Sequence, residues 1–295
     1  MVDQPEWRYR QARISLREQG GDGWPIALFG SDSPAAIAQV ASGEVQIAMI
    51  NPAGPLALAL RGKGPFREPI ALRAIAVVPS PDQLAFAVTK QTAVQSLREV
   101  RERRLPLRVS IRAQMDHSLH LVVKEVLATA GFSLEDIVAW GGQVRYDPGL
   151  PKGSNRLGAV QRGEVDMIID EAVHSWLNVA LESEMRVLPL DEAMLAQLEA
   201  LEFRRAVLPK AHYPKLDSDV PTLDFSGFPV YTHANVPDSL VTAVCAALEA
   251  RKEKIIWQEP GPLPIESMCR DTPSGPLNIP LHPAAERFWR ERGYL

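Results

Sequence analysis

The sequence predicts an α/β chain folded as two lobes around a cleft, and three observations carry that prediction. The chain has 295 residues, 46% of them hydrophobic, which is more than one core of ordinary size supports. Short apolar runs with strand character alternate with helical patterns that end at glycine. A helix–Gly–Glu–strand unit also occurs twice, as Ala41-Ser42-Gly43-Glu44-Val45 and Gln161-Arg162-Gly163-Glu164-Val165, about 120 residues apart. The expected division is residues 1–88 plus 229–295 for one lobe and 89–228 for the other. The chain would cross between them near Val88–Lys90 and Phe228–Tyr231.

In order along the chain, Trp24–Phe29 reads as a strand closed by Gly30. Ser31-Asp32-Ser33-Pro34 reads as a helix entry, with a polar cap and proline at the first helical position. Ile37, Val40 and Ala41 give that helix its apolar stripe, and Gly43 stops it. Val45–Ile50 is a continuous apolar run of the kind buried on both faces of a parallel sheet. Asn51-Pro52 breaks it, and Pro55 opens a helix that Gly62 ends. Strands follow at Ile70–Val78, Leu84–Val88 and Leu107–Ser110, with a charged helix over 96–104. His117–Ala130 is a helix closed by Gly131, and Val138–Trp140 reads as a short strand. A turn-rich connection over 147–154 leads to the second copy of the repeated unit, whose strand ends at Asp170. Later elements are helices over 171–180, 193–201, 237–251 and 283–292, and strands over 185–188, 203–207 and 228–233. The last of these strands returns to the first lobe.

Composition excludes some functions. The net charge of -4 is the wrong sign for a nucleic-acid surface. The run Arg98, Arg101, Arg103, Arg104 is diluted by Glu99 and Glu102 and reads as a solvated helix face. No stretch reaches the ~18 apolar residues of a membrane span, so no direct membrane insertion is expected. Residues 1–17 lack the apolar segment of a secretory signal; the chain as it stands is expected in the cytoplasm, and in the periplasm if a leader has been trimmed. Of the two cysteines, Cys245 falls on the inner stripe of a helix as a small apolar residue, and neither has metal-ligand spacing.

In open parallel sheets, ligands sit beyond the carboxyl ends of strands, against helix N-termini. That rule selects four loops: Gly30–Ser33, Asn51–Gly54, Ser110–Ser118 and Asp170-Glu171. Ser31, Asp32 and Ser33 have either a capping or an anion-binding role. Asn51 fits a polar ligand or an ordinary turn. Arg112 is the leading candidate, since a guanidinium near a helix start grips a carboxylate with two parallel bonds; a surface ion pair is its competing role. Asp116, His117 and Ser118 complete that loop. Adjacent side chains on a helix diverge, so these three make no catalytic triad, and no catalytic residue is assigned. Asp170 and Glu171 would cap a helix or meet a cation or amine. Trp140 is the candidate aromatic wall, because Gly141-Gly142 beside it allows close approach. Phe228, Tyr231 and Trp176 are further aromatic candidates. His117 with His120, and Glu171 with His174, have helical metal-pair spacing but no third ligand, so neither metal nor cofactor is expected.

Three segments together resemble the TAXI family of solute receptors for TRAP-type transporters. They are Gly30-Ser31 with residues 41–48, Gly62-Lys63-Gly64-Pro65-Phe66 with residues 72–76, and residues 280–293. The last, beginning Pro280-Leu281-His282-Pro283-Ala284-Ala285, is similar to that family's PLHPGA..YY..G pattern and is the most specific. The resemblance implies a type II periplasmic-binding-protein-like fold with a hinge and an interlobe cleft. It also implies a small, anionic solute, with carboxylates foremost, and a TRAP-type permease as partner. A cytosolic sensor or carrier, or an enzyme such as an aromatic-acid decarboxylase on the same fold, are the alternatives. Two departures qualify the match: no glycine- and tyrosine-rich turn precedes Trp24, and residues 110–118 are bulkier and more polar than the family's small-residue loop.

Overall fold

A computed structural model describes residues 10–16, 24–30, 34–255 and 264–295. Strands β1 (Arg10–Leu16) and β2 (Trp24–Gly30) pair antiparallel. Helix α1 (Ala35–Ser42) follows, then β3 (Ile47–Met49), α2 (Gly54–Arg61), β4 (Leu72–Val78) and β5 (Ala85–Thr89). Next come α3 (Leu97–Glu102), β6 (Arg108–Arg112), α4 (Ser118–Ala130), α5 (Leu134–Ala139) and β7 (Gln143–Asp147). Helix α6 (Leu157–Gln161), β8 (Met167–Asp170), α7 (Leu177–Glu182), β9 (Met185–Val187) and α8 (Glu192–Ala200) complete the middle of the chain. The remainder is β10 (Arg205–Leu208), β11 (Val220–Leu223), β12 (Phe228–His233), α9 (Asp238–Ala250) and α10 (Pro283–Glu291).

Two main sheets define two α/β units. The first has the order β3-β12-β4, with β12 antiparallel to both neighbours. The strand–helix rhythm predicts a parallel sheet here. Instead β12 returns from far along the chain and inserts between β3 and β4. Residues 280–282 extend this sheet beyond β4: Leu281 bridges Ala74 in parallel, and the Ala74 N–H donates to the Pro280 carbonyl at 2.8 Å. Trp289 of α10 is fully buried and donates its indole N–H to the Ile75 carbonyl at 2.9 Å. The C-terminal pattern is therefore structural, closing the edge of the first sheet.

The second sheet has the order β7-β6-β8-β5-β9. Its β6–β7 and β6–β8 pairs are parallel, and β5 is antiparallel to β8 and β9. A core that includes Phe86, Val109, Val122 and Ile169 lies on one face, and one that includes Leu157, Ile168, Trp176 and Leu177 on the other. Alternate residues of β5 and β8 enter opposite cores, which explains their unbroken apolar sequences.

Strand β5 belongs to this second sheet, so the sequence expectation of a crossing at Val88–Lys90 is corrected. The chain passes between the sheets over residues 79–84 and returns over 224–227. The two passages pair: Leu84 N–H donates to Leu223 O at 3.1 Å, Phe225 N–H to Asp82 O at 2.9 Å, and Gly227 N–H to Ser80 O at 2.9 Å. Three further local expectations are revised. Residues 138–140 end helix α5, whose start is set by a reciprocal capping box between Ser133 and Asp136. Strands β7 and β11, absent from the sequence reading, are present. Met49 is 48% exposed, so the run ending at Ile50 is not buried on both faces.

The repeated unit is seen in both halves. Gly43 and Gly163 stand at φ 77 and φ 71, and their N–H groups donate to Val40 O and Val160 O. A Cβ at Gly163 would meet nothing within 4 Å, so only the left-handed backbone opposes a side chain there. Gly163→Ala is expected to cost about 1 kcal/mol, read from the urea midpoint at unchanged slope. A loss of several kcal/mol would show that packing, not backbone conformation, selects glycine.

Candidate functional site

The parallel strands β6, β7 and β8 end side by side at Arg112, Asp147 and Asp170. Because β5 runs the other way, Asp82 just before it arrives at the same edge, where Ala85 pairs with Asp170. Helix α4 begins there too, capped by His117, whose Nδ1 accepts the Leu119 N–H at 3.1 Å. The sheet edge thus gathers two arginines, four carboxyl groups and a histidine beside the crossing segments.

Asp170 is the hub. Its side chain is fully buried; Oδ1 accepts from Arg112 Nη2 at 2.9 Å and Oδ2 from Arg156 Nη1. Arg156, also fully buried, donates through Nε to Ser110 Oγ at 3.1 Å and through Nη2 to Ile169 O at 3.1 Å. Ser110 in turn donates to Asp147 Oδ2 at 2.8 Å. Arg112 spreads three ways, donating also to Glu171 Oε1 and placing Nη1 3.0 Å from His117 Nε2. Its side chain is 18% exposed, so it reaches the surface that Arg156 does not.

Burial dominates the titration of this cluster. It lowers His117 to about 3, with the neighbouring Arg112 and His120 adding to the effect, so the imidazole is neutral at physiological pH. Burial likewise pushes Glu171 up to about 9; Arg112 opposes this, while Asp82 and Asp170 reinforce it. Asp82 is raised by its own burial. Its carboxylate accepts the backbone N–H of Ala172 at 2.7 Å, of Val173 at 3.2 Å and of Gln83 at 2.8 Å. Asp82 therefore fastens the outgoing crossing to the turn after β8. Ser226 on the return crossing receives the Asp82 N–H at 2.9 Å, and Phe225 stacks on His117 with ring centroids 6.5 Å apart.

Of the residues named from sequence, the structure brings Arg112, His117, Asp170 and Glu171 together. Ser118 is buried in the first turn of α4, next to His117. Asp116 is exposed in the loop before it. Asn51 lies at the crossing rather than in the cluster: its amide donates to Phe225 O at 2.9 Å and Gly227 O at 2.8 Å, clipping the first unit to the return passage. Trp140 packs on Phe132, with ring centroids 5.7 Å apart, and is no wall of this cluster. The glycine beside it serves packing instead, since a Cβ at Gly142 would lie 2.4 Å from the Leu107 carbonyl oxygen. Tyr231 is buried in the first unit's core, and Trp176 holds the Glu171 carbonyl through its indole N–H at 2.8 Å. Ser31, Asp32 and Ser33 lie outside the described residues. Among the described residues, no three His, Cys, Asp or Glu side chains are placed to hold a metal, and His174 is exposed away from buried Glu171. No described helix is long and apolar enough to cross a membrane.

Sequence reasoning missed Arg156, Asp82 and Asp147. Asp147 had the signal that singled out Asp170, a carboxylate at the end of a strand, but its strand went unrecognised. Arg156 follows a Pro- and Gly-rich connection and carries no local mark of burial.

Fold and site together describe a two-lobed α/β protein whose polar cluster adjoins the passages between lobes. Residues 30–293 match the model of the NMT1-like family, and the chain belongs to that family. No curated protein matches it. Among solved structures, it is similar to the alkanesulfonate-binding protein SsuA from Xanthomonas axonopodis pv. citri bound to MOPS. The identity is 16% over 75% of this chain and 60% of that chain, with a TM-score of 0.37. A protein from Xanthomonas citri bound to chloride ion is 14% identical over 87% of this chain and 78% of that one, with a TM-score of 0.42. The glycine betaine/L-proline-binding protein ProX from Borrelia burgdorferi is 10% identical over 70% and 64%, with a TM-score of 0.38. The chain thus spans about three fifths of the length of SsuA.

Proposed function

We propose that this chain is a solute-binding protein that takes a small organic carboxylate between its lobes, with Arg112 as the anchor. One observation carries the reading: Arg112 is the partly exposed guanidinium of an otherwise buried network, at the parallel strand ends beside the crossings. Asp170 fixes its orientation from behind, and a guanidinium held in this way meets a carboxylate with little loss of side-chain freedom. Closing two lobes over such a contact removes water and strengthens it. The binding reading assigns no bond-making step to the cluster.

Thermal shift against a panel of small mono- and dicarboxylates, amino acids and sulfonates tests this. At least one carboxylate is expected to raise the melting temperature and to be recovered unchanged after incubation. Arg112→Lys keeps the charge but loses the planar fork, and is expected to weaken that binding by about tenfold or more. If no acid stabilises the protein, or Arg112→Lys binds equally well, the reading fails; consumption of the acid would favour an enzyme instead. For a partner we propose a TRAP-type permease, on the resemblance of residues 280–293. That role places the chain on the outer side of the membrane. Uptake into vesicles carrying a candidate permease, with and without the chain, checks the first, and cell fractionation the second.

A further inference from the structure

Helix α2 is apolar all the way round, and its faces have different destinations. Leu56 and Ala59 enter the core of the first unit, with Ile37, Leu72 and Tyr231. Leu58, turned to another side of the helix, is fully buried in the core of the second sheet, with Phe86, Val109 and Ile169. A helix that is apolar on every side is one that is buried on every side. Phe66, just beyond α2, packs against both cores. The two units therefore meet along α2 as well as through the crossings.

The second unit meets α2 with the corner that ends α8. A Cβ at Gly54 would lie 2.8 Å from Phe203 Cδ1 and 3.0 Å from Cε1, so the ring fills the space that glycine leaves. Beyond the other end of the helix, Lys63 Nζ donates to the Ala200 carbonyl at 2.6 Å, a carbonyl that the end of α8 leaves without a helical partner. Glu202 sets its Oε1 2.9 Å from Arg61 Nε and 3.7 Å from Lys63 Nζ. It does so at φ 70, the left-handed conformation for which the chain uses glycine at Gly43, Gly62 and Gly131. A glutamate there accepts backbone strain and supplies a carboxylate that reaches the other unit.

We propose that α2 is an interlobe clasp: seated against Phe203 at Gly54, it holds the two lobes at one mutual angle when no solute is present. Arg61 lies about 10 Å along α2 from Gly54, so the contact is a line rather than a point. Added to the crossings, a contact of that length resists rotation of one lobe on the other. Rotation has to draw Phe203 away from Gly54 or Glu202 away from Arg61. The ion pairs are partly exposed and add little, so the hold lies in the burial of Leu58 and Phe203. A solute then moves the lobes only by as much as it favours another angle over the clasped one. The clasp requires two lobes and no particular solute, so it stands or falls apart from the role of Arg112.

Spin labels on Glu44→Cys and Glu182→Cys, one exposed site on each unit, report the interlobe distance with no solute added. The native Cys245 and Cys269 are fully buried and do not compete for label. With the clasp intact, one narrow distance distribution is expected. In Phe203→Ala, checked as folded by circular dichroism, the distribution is expected to widen and to gain a second, displaced population. Ile137→Ala is the control. It removes apolar volume from the same core, in α5 beside the edge strand β7. It is expected to lower the melting temperature and leave the distribution narrow, because loss of packing alone does not free the lobes. A broad distribution with the clasp intact, or one in folded Phe203→Ala as narrow as before, overturns the proposal. Equal broadening in Ile137→Ala does the same. If Phe203→Ala does not fold, Phe203→Leu, which keeps apolar bulk without a ring against Gly54, carries the same test.

Discussion

Replacing Arg156 with methionine is expected to lower the unfolding free energy by about 3–5 kcal/mol, the usual cost of removing one member of a buried ion pair. The guanidinium is fully buried, and three of its partners would be left in a dry interior: Asp170, the Ser110 hydroxyl and the Ile169 carbonyl. Asp170 suffers most, because it would keep a single cation, Arg112, from the other side. The control is Arg162→Met. Arg162 pairs with Glu164 in water, with side chains 52% and 47% exposed, and its loss is expected to leave the stability nearly unchanged. Urea unfolding of both variants measures the contrast. Equal effects would mean that the Arg156 network adds no more than a surface pair does.

The second large effect appears on acidification. His117 is held near 3 against 6.5 for the free side chain, so the unfolded chain takes up a proton that the fold refuses. The stabilisation is fully present above pH 6.5 and is lost as pH falls from there toward 3. One such group contributes a slope of up to about 1.4 kcal/mol per pH unit, or about 2–3 kcal/mol between pH 6.5 and 4.5. His120, lowered by its own burial, adds to the same slope. His117→Asn keeps an acceptor for the Leu119 N–H without a titrating group. Between pH 6.5 and 4.5 it is expected to lose less stability than the wild type by up to one proton's slope, while Glu171, held near 9, contributes in the opposite sense to both proteins. An unchanged slope would show that His117 is not the group resisting protonation.

Much of this cluster is legible in the sequence. Arg112, Asp170 and Glu171 lie where an α/β sheet presents loops beyond its strands, and His117 shares the loop of Arg112. Where the sheet is parallel, at β6 and β8, that rule selects side chains that the structure brings together. It was less informative at Asn51, because β3 pairs with an antiparallel neighbour and the asparagine is taken up by backbone carbonyls. Asp82 closes what reads as an ordinary turn, Pro79-Ser80-Pro81-Asp82, and its role depends on Ala172 and Val173, some 90 positions later. The misread strand at 138–140 shows a different limit. Three residues are too few to separate helical from extended periodicity, and the Ser133–Asp136 capping box sets a helix there.

What the sequence determined by itself is what depends on neighbours a few residues apart. Helix stops at Gly43, Gly62, Gly131 and Gly163, the apolar stripes, and the twice-used helix–Gly–Glu–strand unit follow from backbone preferences and side-chain period. Only the tertiary structure decided which strands meet. It placed β12 between β3 and β4, moved β5 into the second sheet, and closed Asn51 onto a carbonyl 174 positions away. It also decided which charges are buried together, turning Arg156 from an unremarkable helix-start residue into the partner of Asp170. Such pairings are set by the packing of whole apolar faces against one another, and no local pattern around either partner encodes them.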